Sequence, residues 1–200
     1  MDVLTVAAVL SLLSVSAAKP LNCEDLVKPL VLNKTEISGK WIFIQGTADH
    51  QKYTAILKTV NSSLMDVVLS SHNGTSVLRQ RNMMNGKCYY SVHNTTFSNS
   101  TFHALYENGT ANGAVLPAYP DCLVLSLTSV DVGDIIKALY VFGRTRKLSD
   151  AALEMYQKQV ECLGFPQPSF IYDGKQDICP DEEKPAGTGE VKHDHKQSAR

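Results

Sequence analysis

The sequence predicts an all-β fold, an eight-stranded antiparallel up-and-down β-barrel with one C-terminal α-helix packed on its outside. Between Trp41 and Arg144, short runs rich in β-branched and aromatic residues are separated by turn signals, without a convincing helical period. Hairpin-linked strands of this kind form either a closed barrel or a two-sheet sandwich. The single helix that follows favours the barrel, because its apolar face needs an apolar outer wall on which to pack.

One domain lies between two segments that are predicted to stand outside the fold. Residues 3–13 form a short apolar run, and the small residues after it suit cleavage after Ala18, so residues 1–18 are predicted to be a signal peptide. Residues 19–180 are predicted to be the domain. Residues 181–200 are polar, with glycine, proline and mixed charge, and are predicted to be a disordered tail.

The strands are predicted from β-rich runs and from two hairpin signals, Asn73-Gly74 and Asn85-Gly86. The region from Tyr53 to Ser71 also fits one long bent strand, and residues 110–118 fit an additional strand. The eight predicted strands span residues 40–48, 53–60, 63–71, 75–84, 87–97, 101–107, 122–128 and 135–144.

The helix is predicted from its caps and from its apolar spacing. Ser149 suits the N-cap, Asp150 suits the positive end of the helix dipole, and Gly164 suits the C-terminal stop. Before the first strand, residues 19–38 contain two prolines, so this segment is predicted to run along the closed end of the barrel without a long helix. The apolar residues that recur at helical spacing are Leu153, Tyr156, Val160 and Leu163.

Sequons and cysteines predict a secreted protein. Five cysteines in a secreted chain imply two disulfides and one leftover thiol, and the spacing alone does not choose the pairs. The six Asn-x-Ser/Thr sequons are crowded into one half of the chain, which predicts a glycosylated surface. The predicted glycosylation sites are Asn33, Asn61, Asn73, Asn94, Asn99 and Asn108.

The charge balance argues against a nucleic-acid partner. Removing residues 1–18 removes Asp2 and no Lys or Arg, which leaves 19 acidic residues against 19 basic ones. Binding to a phosphate backbone needs a concentrated excess of Lys and Arg. No apolar run is long enough to predict a membrane anchor.

Two motifs, about a hundred residues apart, resemble those of the lipocalins. Gly39-Lys40-Trp41 opens the first strand, and Tyr140-Val141-Phe142-Gly143-Arg144 ends the last one. In that family the tryptophan plugs the closed end, and an arginine from the last strand lies across its ring. A guanidinium on a partly desolvated indole gains about 1 to 2 kcal/mol. The resemblance implies that Gly39, Trp41 and Arg144 form a structural motif.

Further matching segments lie along nearly the whole mature chain: Pro20-Leu21-Asn22-Cys23, Asn33-Lys34-Thr35, Lys87-Cys88-Tyr89-Tyr90, Glu107-Asn108-Gly109-Thr110, Glu161-Cys162-Leu163 and Ile171-Tyr172-Asp173. They resemble the alpha-1-acid glycoprotein branch of the lipocalins, and within it the fish proteins that bind tributyltin, saxitoxin or tetrodotoxin. The resemblance implies a plasma location. It also implies disulfides that join Cys23 to Cys162 and Cys88 to Cys179, with Cys122 unpaired.

A carrier of this family would hold its ligand inside the barrel, and strand alternation predicts which residues face it. If Trp41 points inward, Phe43 and Gln45 share its face, and Tyr140 and Phe142 share the face of an arginine that covers it. Similarity to alpha-1-acid glycoprotein adds Tyr53, at the open rim of the barrel. The predicted ligand-binding residues are therefore Phe43, Tyr53, Tyr140 and Phe142.

An aromatic wall of this kind suits small hydrophobic molecules and organic cations. By resemblance, these include xenobiotics such as tributyltin, tetrodotoxin and saxitoxin. Gly113 stands near the position at which alpha-1-acid glycoprotein places a basic wall residue, which puts affinity for acidic ligands in doubt. The predicted protein is a monomeric carrier without catalysis, metal or cofactor.

Two other functions compete with carriage. Cys122 alternates with Val124 and Ser126 and would face inward in a thiol-dependent isomerase that uses glutathione, although no base or cation that would activate the thiol is evident. A cavity thiol would also bind a soft tin centre. Alternatively, the glycans would make the chain an interaction protein that modulates immunity.

Overall fold

The structure is a computed structural model, and it describes residues 22–31, 33–71, 74–106, 109–131 and 133–181. The predicted signal peptide and all but the first residue of the predicted tail lie outside the described residues. The sequons at Asn73 and Asn108 also lie outside them.

Eight antiparallel strands form a closed up-and-down barrel, which confirms the predicted fold class. Asn85 and Gly86 form the β3–β4 turn with positive φ angles of 49° and 75°, as the hairpin signal predicts. The strands are β1 Gly39–Ala48, β2 Val60–Leu69, β3 Thr75–Met84, β4 Lys87–Ser98, β5 Thr101–Tyr106, β6 Gly109–Leu116, β7 Cys122–Asp131 and β8 Asp134–Gly143.

Strand β1 closes the barrel by pairing with β8 along one edge and with β2 along the other. The pairing with β2 covers only residues 39–42, and farther along β1 pairs at Gln45 and Gly46 with a short strand, β9 (Phe170–Ile171). Strand β9 thus extends the seam where the β1–β2 ladder stops. The end of the barrel at the start of β1 is here called the closed end, and the end with the Asn85-Gly86 turn is called the open end.

The strand predicted over residues 53–60 is wrong, because most of this region forms helix α3 (Gln51–Leu57) at the open end. His50 caps the helix by accepting a hydrogen bond from the amide of Lys52. Tyr53, Ile56 and Leu57 recur at helical spacing and line the interior of the barrel. The fit of residues 110–118 to an additional strand corresponds to β6.

Helix α4 (Asp150–Cys162) packs on the outside of the barrel, as predicted. Ser149 accepts a hydrogen bond from the amide of Ala152, and the Tyr156 hydroxyl donates to the Leu139 carbonyl of β8. Leu163 follows the helix and is 38% exposed, so its predicted place on the packed face is wrong. Among the described residues, no helix is long and apolar enough to cross a membrane.

Two disulfides hold the terminal segments, one to the outer helix and one to the barrel, in the pairs that the resemblance implies. Cys23 of the short helix α1 (Cys23–Val27) is bonded to Cys162 at the end of α4. Cys179 of the C-terminal segment is bonded to Cys88 at the start of β4, near the open end. A second short helix, α2 (Lys34–Ile37), leads into β1 at the closed end.

Candidate ligand-binding cavity

The inner face of the barrel encloses three chambers. Every second residue along a strand points inward and lines them. The upper chamber has a volume of about 540 Å³, the side chamber about 190 Å³ and the deep chamber about 40 Å³. On β3, Leu78 lines the deep chamber, Gln80 lines both the upper and the side chamber, and Asn82 lines the side chamber. The chambers therefore follow one another along the barrel, with the deep chamber nearest the closed end.

Three tyrosines line the upper chamber: Tyr53 of α3, Tyr106 of β5 and Tyr140 of β8. Burial raises the pKa of Tyr140, and the neighbouring phenols Tyr106 and Tyr53 raise it further. Burial and Tyr53 likewise raise the pKa of Tyr106. Tyr106 and Tyr140 are therefore neutral near pH 7, and each offers an apolar ring face and a hydroxyl to a ligand. Tyr106 was not among the predicted residues, although its alternation with Phe102 and Ala104 along β5 carries the same inward signal.

All four predicted ligand-binding residues line the side chamber. The Phe43 ring is the centre of this group, with centroid distances of 5.1 Å to Tyr140 and 5.2 Å to Phe142. Phe170 of β9 stacks on Phe43 at 4.5 Å, a contribution that the sequence did not indicate. These contacts form a continuous aromatic wall between the side chamber and β9.

A bulge in β1 overturns one inward prediction. Phe43 pairs with Phe142, whereas Gln45 pairs with Val141, so the register shifts by one residue between them. Gly46 then takes the inward position opposite Tyr140. A Cβ atom at Gly46 would lie 2.3 Å from the Phe43 ring, so glycine is the residue that leaves room for that ring. The predicted inward position of Gln45 is wrong.

The deep chamber is almost wholly apolar. Phe102 lies against Gly113, where a Cβ atom would lie 2.3 Å from the ring. The ring fills the space that a side chain at Gly113 would take. Ser76 and Thr95 supply the polar atoms of the lining. The complete lining is Ile37, Met65, Val67, Ser76, Leu78, Thr95, Phe97, Phe102, Val115, Leu123 and Leu125.

The closed end is held by the Trp41 and Arg144 side chains. The Arg144 guanidinium carbon lies 3.5 Å from the centroid of the Trp41 ring. Its two terminal nitrogens donate to the carbonyls of Lys40 and Glu36, at 3.0 Å and 2.7 Å. The Trp41 indole donates to the Ile37 carbonyl at 2.8 Å, and Gly39 adopts a φ of +86° beside them. The polar groups of both side chains are satisfied by these contacts, so Trp41 and Arg144 form a structural plug.

The thiol of Cys122 lies outside the three chambers. Leu123, which lines the deep chamber, pairs with Phe142, and side chains alternate along β7, so Cys122 lies on the outer face. There it lines a cleft at the closed end with Arg144. Burial and the Asp121 carboxylate raise the pKa of the thiol. The alternative hypothesis of a cavity thiol is therefore wrong, because Cys122 lines none of the three chambers.

The chambers carry little charge and hold no evident metal site. Among the described residues, Lys52 at the open rim is the one lysine, arginine, aspartate or glutamate that lines a chamber. No group of three or more His, Cys, Asp and Glu residues that could hold a metal ion occurs in this described part of the chain. The cavity chemistry is therefore that of aromatic rings, aliphatic side chains, hydroxyls and amides.

Comparison with solved structures places the fold among lipocalins. A siderocalin, Ex-FABP, described as having dual ligand specificities, is 14% identical with a TM-score of 0.60, and the match covers 68% of this chain and 94% of that one. A dog lipocalin allergen is 17% identical with a TM-score of 0.61, covering 73% of this chain and 99% of that one. A deswapped triple mutant of the bovine odorant-binding protein is 20% identical with a TM-score of 0.54, covering 66% and 89%. No protein-family model and no curated protein matches the chain.

Proposed function

We propose that this chain, which has the lipocalin fold, is a secreted carrier of small hydrophobic or cationic molecules. The observation that carries the proposal is the aromatic-walled cavity, whose upper chamber alone has a volume of about 540 Å³. Binding sites for small molecules are concave and mostly apolar, with a few polar groups that orient the ligand. The chambers have this composition.

The aromatic wall supports both classes of ligand. Phe43 and Phe142 offer apolar contact, with Phe170 stacked behind Phe43, and the faces of Tyr53 and Tyr140 attract a positively charged group. Lys52 at the rim opposes a cation at that position, so a cationic group would sit against the tyrosines and away from the rim. The named structural relatives include an odorant-binding protein and a siderocalin with dual ligand specificities, and both descriptions refer to ligand binding.

The finer proposal concerns the ligand. Resemblance to the alpha-1-acid glycoprotein branch points to plasma xenobiotics, including tributyltin, tetrodotoxin and saxitoxin. Because Cys122 lies on the outer face, tributyltin would be held through its alkyl groups by the barrel walls. We therefore expect Cys122→Ser to leave the affinity for tributyltin unchanged, as measured by equilibrium dialysis.

The decisive experiment is displacement of an environment-sensitive apolar dye by tributyltin, tetrodotoxin, a basic drug, a steroid and a fatty acid. A dye inside the barrel is a better reporter than Trp41, which lies at the closed end. Saturable displacement by at least one compound at micromolar or better affinity is expected. A dye that does not bind, together with flat equilibrium dialysis for every compound, would contradict the carrier function.

A matched pair of variants tests where the ligand lies. Ala138→Trp would fill the upper chamber, because Ala138 lines it, and should abolish or strongly weaken binding. Ala114→Trp is the control, because Ala114 lies on β6 between Gly113 and Val115, which face the interior, and so lies on the outer face. Equal binding by both variants would place the ligand outside the upper chamber.

A second candidate function, a glycan-dependent interaction protein, is favoured by the exposure of Asn33, Asn94 and Asn99. We propose these asparagines, with Asn61, as glycosylation sites among the described residues. Intact-mass analysis of the protein from a secretory host, before and after enzymatic removal of N-glycans, would count the occupied sites. If deglycosylation abolished a cellular response while dye binding persisted, this second function would be favoured.

A further inference from the structure

The deep chamber contains two hydroxyls without a protein partner. Ser76 on β3 and Thr95 on β4 are directly opposite each other in the strand register. Their side chains point into the deep chamber, and the residues are only 1% and 4% exposed. Neither Ser76 Oγ nor Thr95 Oγ1 has a hydrogen-bond partner within the described structure. The two polar atoms form what is here called the hydroxyl pair.

Two other inward hydroxyls, those of Ser63 and Ser91, have protein partners. Ser63 Oγ donates to Asn82 Oδ1 at 2.6 Å, and Ser91 Oγ lies 3.0 Å from a ring nitrogen of His93. Buried hydroxyls are nearly always hydrogen-bonded, because leaving one without a partner costs free energy. Two adjacent exceptions facing the same chamber therefore call for a partner that the protein itself does not supply.

The surroundings restrict the chemistry of that partner. The remaining residues that line the deep chamber are aliphatic, aromatic or methionine side chains. No charged side chain lines the chamber among the described residues, so a buried carboxylate or ammonium there would lack a counter-ion. The volume of about 40 Å³ suits one small polar group and the carbon that bears it.

We infer that the hydroxyl pair is the deep subsite for an uncharged ligand that carries one hydroxyl or carbonyl group at the tip of an apolar body. The ligand enters polar tip first. Ser76 and Thr95 exchange hydrogen bonds with its oxygen, and its apolar body lies along the aromatic wall above. This inference rests on the proposed carrier function and names the class of molecule that the cavity selects.

The test compares 1-octanol with nonane, which have the same number of non-hydrogen atoms and differ at the tip. Free ligand is measured in the headspace by gas chromatography, with the intact glycoprotein in solution. The test protein is the double variant Ser76→Ala/Thr95→Val, which removes both hydroxyls with little change of shape. The control is Ser126→Ala/Thr128→Val, because these β7 residues alternate with inward Leu125 and Leu127 and so face outward.

Loss of the hydroxyl pair should weaken octanol binding about tenfold, the equivalent of two modest hydrogen bonds, and leave nonane binding unchanged. The control variant should bind both ligands as the original protein does. Octanoate should displace octanol poorly, because its charge has no partner in the deep chamber. The melting temperature of the ligand-free double variant should not be lower than that of the original protein, because apolar groups replace polar groups that have no partner.

Three outcomes would overturn the inference. Octanol affinity that is unchanged in the double variant would mean that the hydroxyl pair binds water or nothing. Equal loss of octanol and nonane would mean that the two residues act through packing. Octanoate that binds as tightly as octanol, and loses affinity in the double variant, would exclude the restriction to uncharged tips. Failure of the original protein to bind either octanol or nonane would instead count against the proposed carrier function.

Discussion

The two ends of the barrel use the same kinds of side chain for opposite purposes. At the closed end, Trp41 and Arg144 contact each other. Their N–H groups donate hydrogen bonds to the carbonyls of Glu36, Ile37 and Lys40. At the open end, the rings of Tyr53, Tyr106 and Tyr140 instead line a chamber of about 540 Å³. An aromatic residue in a barrel therefore marks a binding site only where its neighbours leave open volume beside the ring and polar groups that are free to bind a ligand.

Loss of a disulfide should give the largest effect, and the two bonds differ in position: Cys88–Cys179 lies near the open end, whereas Cys23–Cys162 joins α1 to α4 on the outside of the barrel. Replacing both cysteines of either pair with serine should lower the free energy of unfolding by about 4 to 5 kcal/mol, since each bond closes a long loop. Only loss of Cys88–Cys179 should also weaken dye binding, because Cys179 holds the C-terminal segment beside β4 near the open end. Urea unfolding and dye titration measure the two effects. Equal loss of affinity in both variants would contradict the assignment of binding to the open end.

The next test removes the closed-end guanidinium. Arg144→Ala should lower the free energy of unfolding by about 2 kcal/mol, because it removes the contact with Trp41 and leaves the carbonyls of Glu36 and Lys40 without their donors. Ligand affinity should stay the same. Arg79→Ala, an exposed arginine on β3, is the control and should change neither quantity. If Arg144→Ala weakened binding at temperatures where the protein stays folded, the plug would also have to be part of the site.

Overpacking the open half of β1 should affect stability and binding together. Gly46→Ala places a Cβ atom 2.3 Å from the Phe43 ring, which must then move toward the chambers. We expect the free energy of unfolding to fall by about 1 to 2 kcal/mol and dye affinity to decrease. Chemical denaturation and dye titration provide the measurements. The double variant Gly46→Ala/Phe43→Leu should regain most of the stability, and no recovery would argue against the ring clash as the cause.

The smallest predicted effect is a pH dependence from the cavity phenols. Burial raises the folded pKa of Tyr140 above its ordinary value of 10.0, so its stabilising contribution is complete below that pH and is lost as the pH rises further. Tyr140→Phe should therefore reduce the slope of stability against pH above 10 by about 1 kcal/mol per pH unit. Unfolding followed from pH 9 upward, with tyrosinate absorbance, measures this slope. Identical slopes for variant and original would mean that Tyr140 titrates normally.

Several elements could be predicted from sequence because their causes are local. The Asn85-Gly86 turn needs two residues that tolerate positive φ, and the Ser149 cap needs one side-chain oxygen at the right offset. Strand alternation placed Phe43 on the face of Trp41, and Tyr140 with Phe142 on the face of Arg144. These signals depend on residues only a few positions apart, whereas the contact that joins the two faces was implied by the family resemblance.

Other features depend on contacts between distant parts of the chain. The bulge after Phe43 changes the alternation, so Gly46 replaces Gln45 on the inner face. Residues 51–57 contain aromatic and branched side chains that suit a strand, and they form α3 because the helix places Tyr53 and Leu57 over the cavity. To predict the hydroxyl pair, one would have to know which residues of β3 and β4 lie opposite each other. Periodicity within one segment does not contain that information.

Strand β9 has a consequence for the order in which the binding site is made during synthesis. Phe170, which stacks on Phe43, and Cys179, which is bonded to Cys88, both belong to the part of the chain that follows α4. A ribosome would release the eight strands before these residues emerge. The nascent barrel would therefore have an unfinished wall until this segment emerges from the ribosome and the second disulfide forms. A chain that is cut short after α4 would lack Phe170, so the face of Phe43 on which it stacks would be uncovered. Chaperones could recognise this exposed ring and retain the incomplete molecule.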